Sequence, residues 1–409
     1  MKKWILILVI MANGVAQAAI MEIIDSSGDG NGNTVDGVGL NVDDNGNVYI
    51  TGVNTDNLFR ISASTSCTTA DCEIIEILDA SGDGVIAHDR TSAVATDADG
   101  NVYVAGQFSD NVWRILNPIN CSTSGTACNI EEIIGPSGDG SNPLDTPVAL
   151  AVDHSGHVYV AGAVSHNVFR IAASTTCGTG GPACTVTEII DESGDNNGNI
   201  ISQPVGLAID SQNNVFVTTQ NSDNVFKIAN PGSCSTNGTP CTITEIIDES
   251  SLTASAFGRG LVVDSQDNVY LTSLGFFENA AVFKINTPGT CSTAGTACTI
   301  TEIFNTPTPQ QAGNMAVDSA DNIYFAGGNG DNAFRIDNPV NCSTSSTPCI
   351  ITEIIDANGD GVAILDGPGN VAIGNDVDVY VSGGGSDNAF RVSGAAESTD
   401  LIFRNGFDF

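Results

Sequence analysis

Positive charge is scarce in this 409-residue chain: 12 Lys and Arg stand against 48 Asp and Glu, for a formal net charge of −36. A surface so anionic repels phosphate, which argues against nucleic acid or an anionic membrane face as a partner. Histidine is equally sparse, with four residues to supply any acid–base chemistry near neutral pH. No Cys precedes Cys67, which excludes a lipid-modified N-terminal cysteine. Beyond the first dozen residues no apolar run is long enough to span a bilayer. There is no Gly-x-Ser-x-Gly, His-Glu-x-x-His or phosphate-loop pattern. Hydrophobic residues, at 41%, are ample for a large core, so the acidity does not signify disorder. Between them stand mostly Gly, Ser, Thr, Asn and Asp, a composition that suits short strands and turns.

The N-terminus reads as a targeting segment. Lys2 and Lys3 precede the apolar run Trp4 to Ala12, and Ala16-Gln17-Ala18 offers a small-residue cleavage site. Residues 1–18 are thus expected to be a secretory signal peptide. Loss of Lys2 and Lys3 would take the net charge from −36 to −38. The mature chain is expected to be exported by a bacterium, as a secreted, periplasmic or cell-surface protein without a membrane-spanning segment.

Self-similarity predicts the fold. A unit of apolar, aromatic, basic and apolar residues recurs seven times, as in Val112-Trp113-Arg114-Ile115 and Val168-Phe169-Arg170-Ile171. Its basic residues are Arg60, Arg114, Arg170, Lys227, Lys284, Arg335 and Arg391, spaced by 54, 56, 57, 57, 51 and 56 residues. Each unit follows a run such as Asn101-Val102-Tyr103-Val104, and before that a Gly/Ala-rich run ending in Asp. A loop flanked by Cys comes next, then Glu-Ile-Ile. Four short runs per period, here called a to d, predict a four-stranded antiparallel meander. One such sheet cannot bury both faces, and radial stacking of seven gives an all-β, seven-bladed β-propeller. Small side chains in run a fit crowding near the axis. Run d follows run c only six times, and the seventh is Glu22-Ile23-Ile24. The N-terminal strand is therefore expected to complete the last blade, so that residues 19–393 form one closed ring and residues 394–409 a tail.

Two stretches resemble the NHL-repeat family of propellers: Pro204-Val-Gly-Leu-Ala-Ile-Asp210 with Asn213-Asn214-Val-Phe-Val217, and Pro147-Val-Ala-Leu-Ala-Val-Asp153 with Gly156-His157-Val-Tyr-Val160. The likeness covers essentially the whole mature chain. The longer c–d connection with paired Cys departs from it. The resemblance implies the propeller fold, and a family of scaffolds, adhesive modules, lyases and hydrolases. No family catalytic motif matches, so no catalytic residue is carried over.

The 12 Cys fall into six local pairs: Cys67 with Cys72, Cys121 with Cys128, Cys177 with Cys184, Cys234 with Cys241, Cys291 with Cys298, and Cys342 with Cys349. In an exported protein these read as disulfides across each c–d hairpin, each contributing about 2.5 kcal/mol on the chain-entropy model. A propeller spreads the pairs around its rim, where four thiolates do not converge on zinc. The seven run-c basic residues are each expected to pair locally with an acid, such as the run-d Glu across the hairpin, as in Arg170 with Glu188.

Alternation of strands puts the d–a and b–c loops on one face, taken as the ligand face. It receives Asp-Gly loops such as Gly138-Asp139-Gly140 and, nearer run a, Asp36, Asp89, Asp145 and Asp366 from consecutive blades. Gln203, Arg259 and Gln311 are the matching positions in the other three. Oxygen ligands at a channel mouth suit Ca²⁺ or Mg²⁺, although no loop has the twelve-residue calcium pattern. His88 and His166 fall on this face as acid–base candidates, whereas His154 and His157 lie in an a–b turn opposite. The reading leans away from an enzyme and towards a monomeric binding module for a protein, glycan or small molecule. The alternative is a metal-assisted lyase or a lactone or ester hydrolase, similar to streptogramin lyases or gluconolactonases. The ending Leu401-Ile-Phe-Arg-Asn-Gly-Phe-Asp-Phe409 resembles short endings on exported proteins of some Gram-negative bacteria, and reads as an attachment signal or as a tail packed on the ring.

Overall fold

The computed structural model describes residues 19–37, 39–62, 72–173, 177–178, 181–248, 257–273, 281–286, 288–289, 291–305, 312–374 and 378–395. The expected signal peptide, Cys67, Gln311, the side chain of Arg259 and the tail from residue 396 lie outside them.

Seven four-stranded antiparallel sheets follow one another along the chain. Blade 3 is representative, with strands Pro147–Val152, Val158–Gly162, Asn167–Ile171 and Val186–Ile190 from the axis outwards. Its two middle strands are buried at every residue, because blades 2 and 4 cover both faces. That is why runs b and c are mostly apolar on both faces rather than alternating, with the run-c base the main charged exception. Each hydrophobic cluster straddles two blades: Ala149, Tyr159 and Ile189 of blade 3 pack against Leu207, Val217 and Phe226 of blade 4. Full burial of such side chains stabilises by roughly 1.5–3 kcal/mol apiece. Towards the axis there is room only for small residues. A Cβ on Gly313 of blade 6 would stand 2.5 Å from the carbonyl oxygen of Gly369 in blade 7. The innermost strands meet all the way round, blade 7 against blade 1.

The ring closes as the repeat count predicts. Strand Ala19–Ile24 pairs antiparallel with Asn388–Ser393, placing Ile20 opposite Val392 and Glu22 opposite Phe390. The chain is a seven-bladed β-propeller. Five of the six expected disulfides are present, with Cα atoms 4.8–4.9 Å apart. They join Cys121 to Cys128, Cys177 to Cys184, Cys234 to Cys241, Cys291 to Cys298, and Cys342 to Cys349. The sixth expected pair, Cys67 with Cys72, falls partly outside the described residues, and its Cys72 is also disulfide-bonded. Such bridges fit an oxidising compartment. Among the described residues no helix is long and apolar enough to cross a membrane.

Three kinds of polar link recur between adjacent blades among the described residues, each running in one direction round the ring. At the b–c turn a left-handed Asp accepts the backbone N–H of the next blade's d–a loop: Asp56 from Arg90, Asp110 from Thr146, Asp331 from Gly367, and Asp387 of blade 7 from Gly37 of blade 1. At the outer strand, the Glu carboxylate accepts the hydroxyl of a Thr inside the next blade's disulfide loop. Thr123 reaches Glu76 at 2.6 Å, Thr236 reaches Glu188 at 2.7 Å and Thr293 reaches Glu245 at 2.6 Å. The same Thr residues donate their backbone N–H to the Glu carbonyl, so each disulfide loop lies along its predecessor's free edge. Third, the strand-c base donates to carbonyls of the next blade: Arg114 to Cys177, Arg170 to Gly232, Lys284 to Pro339 and Val340.

The expected pairing of Arg170 with Glu188 is therefore not formed. A bulge between Val168 and Phe169 sets Phe169 opposite Glu188 and Arg170 opposite Thr187. Arginine and glutamate thus point to opposite faces of the sheet, since neighbours on a strand alternate. The expected local acid is found for Arg114, which meets Glu131 opposite it in register, and for Arg335, which pairs with Asp337 at 2.6 Å.

Candidate functional site

The d–a loops and b–c turns form one rim of the ring. Phe108 N–H donates to the Asp89 carbonyl and Val164 N–H to that of Asp145, so each b–c turn sits against the d–a loop preceding its blade. The d–a loops are tight. Gly82 has φ 62°, and a Cβ there would fall 2.0 Å from the Ile86 carbonyl oxygen. Within them the Asp side chains close Asx turns on their own backbone, as Asp83 does with Val85 and Ile86 and Asp139 with Ser141 and Asn142.

Asp36, Asp89, Asp145 and Asp366 occupy equivalent places, Asp89 and Asp366 exposed, Asp36 and Asp145 half-buried. Asp36 accepts from Asn54 Nδ2 at 3.1 Å and Asp145 from the Thr146 hydroxyl at 2.8 Å. They remain on four separate blades. Among the described residues no three His, Cys, Asp or Glu side chains gather as a metal site would need. The position in blade 4 is Ser202, not Gln203. Ser202 N–H bonds Ser222 Oγ as Asp145 N–H bonds Ser165 Oγ, while Gln203 shares the left-handed backbone of Thr146. Reading the motif one residue late came from matching polarity rather than backbone. Blades 5 and 6 cannot be compared, since Gln311 and the side chain of Arg259 are outside the described residues.

The structure engages the two histidines. His88 is 1% exposed, its Nε2 2.7 Å from Thr91 Oγ1, and burial lowers its pKa from 6.5 to about 4. Its Nδ1 has no partner, and a Cβ on Gly106 would lie 2.9 Å from that atom. His166 takes the place of the inter-blade Asp. It has φ 53°, against 51° for Asp110, and its Nδ1 accepts the Gln203 N–H at 2.9 Å. On the opposite face, His157 stands where five blades have Asn and blade 7 has Asp378, 3.1 Å from Asp153, and His154 meets Asn213 across to blade 4. An imidazole can imitate either Asx side chain here because each link needs one ring nitrogen.

Sequence reasoning missed the apolar part of this rim. Nine large hydrophobic side chains are exposed among the described residues, and six belong to d–a loops or b–c turns: Val85, Phe108, Val164, Ile200, Val362 and Ile364, from 51% to 94% exposed. Their signal was legible, as apolar residues inside Asp-Gly loops and b–c turns that have no core to fill. Among the described side chains there, Arg90 is the only Lys or Arg. It lies 5.0 Å over the Phe108 ring, with Nε donating to Gln107 Oε1 at 2.8 Å. Away from the rim, an open polar recess of about 470 Å³ lies by the blade 6 disulfide loop, lined by Lys284, Glu302, Val340, Ser343 and Thr344 among others.

Solved structures of similar shape are propellers. A catalytically inactive histidine-to-alanine variant of virginiamycin B lyase from Staphylococcus aureus, with quinupristin, matches 92% of this chain and 99% of its own, at TM-score 0.61 and 17% identity. A streptogramin B lyase matches 91% of this chain and 97% of its own, at TM-score 0.57 and 13% identity. YCF48 bound to D1 peptide matches 93% and 96%, at TM-score 0.54 and 9% identity. At such identities the likeness shows the fold alone. No protein-family model and no curated protein matches the chain.

Proposed function

We propose that this chain is an exported binding module of NHL type, and that its d–a and b–c rim takes a cationic partner carrying apolar side chains. One observation carries the reading: six exposed hydrophobic side chains share a rim with many aspartates and almost no compensating base. Exposed apolar groups of this kind mark interaction surfaces. An excess of carboxylate repels anionic partners and speeds encounter with cationic ones. Seven of the ten Lys and Arg beyond Lys3 lie on strand c among the described buried or half-buried residues, so they do not offset the rim.

The lyase or hydrolase reading finds less support. A general acid or base must reach substrate, whereas His88 is enclosed and His166 holds two blades together. The test is binding of a synthetic Lys/Leu peptide and its Glu/Leu counterpart at low and high salt. The Lys/Leu peptide should bind more tightly, lose affinity with salt, and bind weakly to a variant with Val85, Val362 and Ile364 changed to Ser. Equal binding of both peptides, or an unaffected variant, would remove the proposal. Turnover of a lactone or ester by the purified protein would restore the enzyme reading.

A further inference from the structure

Blade 6 is the one blade whose successor has no c–d loop, because the outer strand of blade 7 arrives from the N-terminus. Its outer strand, Ile350–Ile355, shows the difference. Glu353 is exposed, whereas Glu76, Glu188 and Glu245 are buried beneath the Thr of the following disulfide loop. Glu353 accepts from Asn332 Nδ2 at 3.0 Å, but no described hydroxyl caps it. Ile350, opposite Asp337, is 67% exposed at the register position that Asn129 and Thr242 fill in blades 2 and 4. A polar site has become apolar where the cover is absent.

The chain leaving blade 7 is on course for this edge. Three residues past the strand-c base, Gly394 has φ 71°, as Asn117 has 45° and Asn338 has 42° at the same point of their loops. The next residue is buried in each case: Ala395, Pro118 and Pro339. Lys284 donates to the Pro339 carbonyl, and Arg335 donates likewise to that of Ala395. The sequence then runs Ala396-Glu397-Ser398-Thr399, against Ile119-Asn120-Cys121-Ser122-Thr123 in blade 2, so a Ser-Thr pair recurs one residue sooner. Leu401-Ile402-Phe403 follow, apolar like Ile350.

We infer that the segment after Ala395 docks on the outer edge of blade 6 of its own chain, with Thr399 capping Glu353 and Leu401 to Phe403 covering Ile350. It is a latch made without cysteine. Two measurements test this. Glu353→Cys with Thr399→Cys, mildly oxidised and mapped by non-reducing mass spectrometry, should give a 353–399 link within one chain. Glu302→Cys with Thr344→Cys is the reference, since Thr344 Oγ1 lies 2.9 Å from Glu302 Oε1. A reference pair that links while 353 and 399 stay reduced overturns the inference, and so does a link between two chains, which would assign the edge to a second copy. Independently of any new cysteine, amide exchange is compared in the unmodified chain and in Thr399→Ala/Leu401→Ser/Phe403→Ser. Peptides covering 350–355 should exchange at least tenfold faster in the variant, with 300–305 unchanged. Equal rates at 350–355 also overturn it.

Discussion

His88 offers a prediction in which sign and size both follow from burial. Enclosed against Thr91, it is neutral in the folded protein, its pKa lowered to about 4 from 6.5 by desolvation that the charges of Asp56 and Asp79 only partly offset. The unfolded chain therefore takes up a proton near pH 6.5 that the folded chain refuses. Stability from this group is complete above pH 6.5 and is lost as pH falls towards 4. The loss is about 2 kcal/mol by pH 5 and roughly 3 kcal/mol by pH 4. Five carboxyls oppose it: Glu22, Glu76, Asp110, Glu132 and Glu188 are raised above the ordinary range by burial, although hydrogen bonds from Asn and Thr residues hold them down. Their folded forms gain protons first, so they add stability as pH falls from above their raised values. Comparison with His88→Gln cancels that background. Urea unfolding of both proteins at pH 7.5 and pH 5 should show the wild type losing about 2 kcal/mol more than the variant. Equal losses would mean that the imidazole is hydrated or already charged, and the structural role given to it here would fall.

Thr236→Val removes the hydroxyl over Glu188 at nearly constant shape, and should cost roughly 1.5–3 kcal/mol, the range for a hydrogen bond to a charged group. In a double-mutant cycle with Glu188→Gln the costs should fall short of additive, and full additivity in the melts would show that the two do not interact. Deleting Ala19–Ile24 strips blade 7 of its outer strand and of the fully buried Ile23 and Ile24, which together contribute about 3–6 kcal/mol. The truncated protein should melt well below the full chain, and coincident melts would contradict closure by this strand. At fixed ionic strength, where screening is constant, millimolar Ca²⁺ should leave the melting temperatures of wild type and of the D36N/D89N/D145N variant equally unmoved. A Ca²⁺-specific shift that the variant lacks would place an ion at the mouth after all.

The ring was legible because its causes are periodic. Each blade buries both faces of strands b and c, so the apolar–aromatic–basic–apolar unit recurs whatever the loops do, and the missing seventh run d revealed the closure. The partners of Arg170 and Glu188 were not legible, because a single bulge at Val168/Phe169 decides which face each side chain takes. Bulges carry little sequence signature, since one extra residue in the ladder suits almost any side chain. The histidines failed for a related reason. His166 looks catalytic by residue type, but its backbone at φ 53° and its Gln203 contact reveal a substitute for aspartate. Type was visible in the sequence, while the neighbour across the blade boundary was not.

The one-way polar links have a consequence for how many blades there can be. Each boundary joins two different surfaces, a donor-side edge to an acceptor-side edge, as in a head-to-tail assembly of separate subunits. Such contacts generate either a closed circle or an endless spiral, according to the rotation that each imposes. Here the clamp by Asp, or by His166, fixes that rotation at one rim, and at four described boundaries the Thr–Glu contact fixes it at the other. Gaining or losing a blade would require every remaining boundary to change its angle at both rims together. Loop tips such as Val85 and Val362 are free of that constraint and can vary one blade at a time. Selection for a new partner thus has a wide field on the rim, while the number seven is held in place by all the boundaries at once.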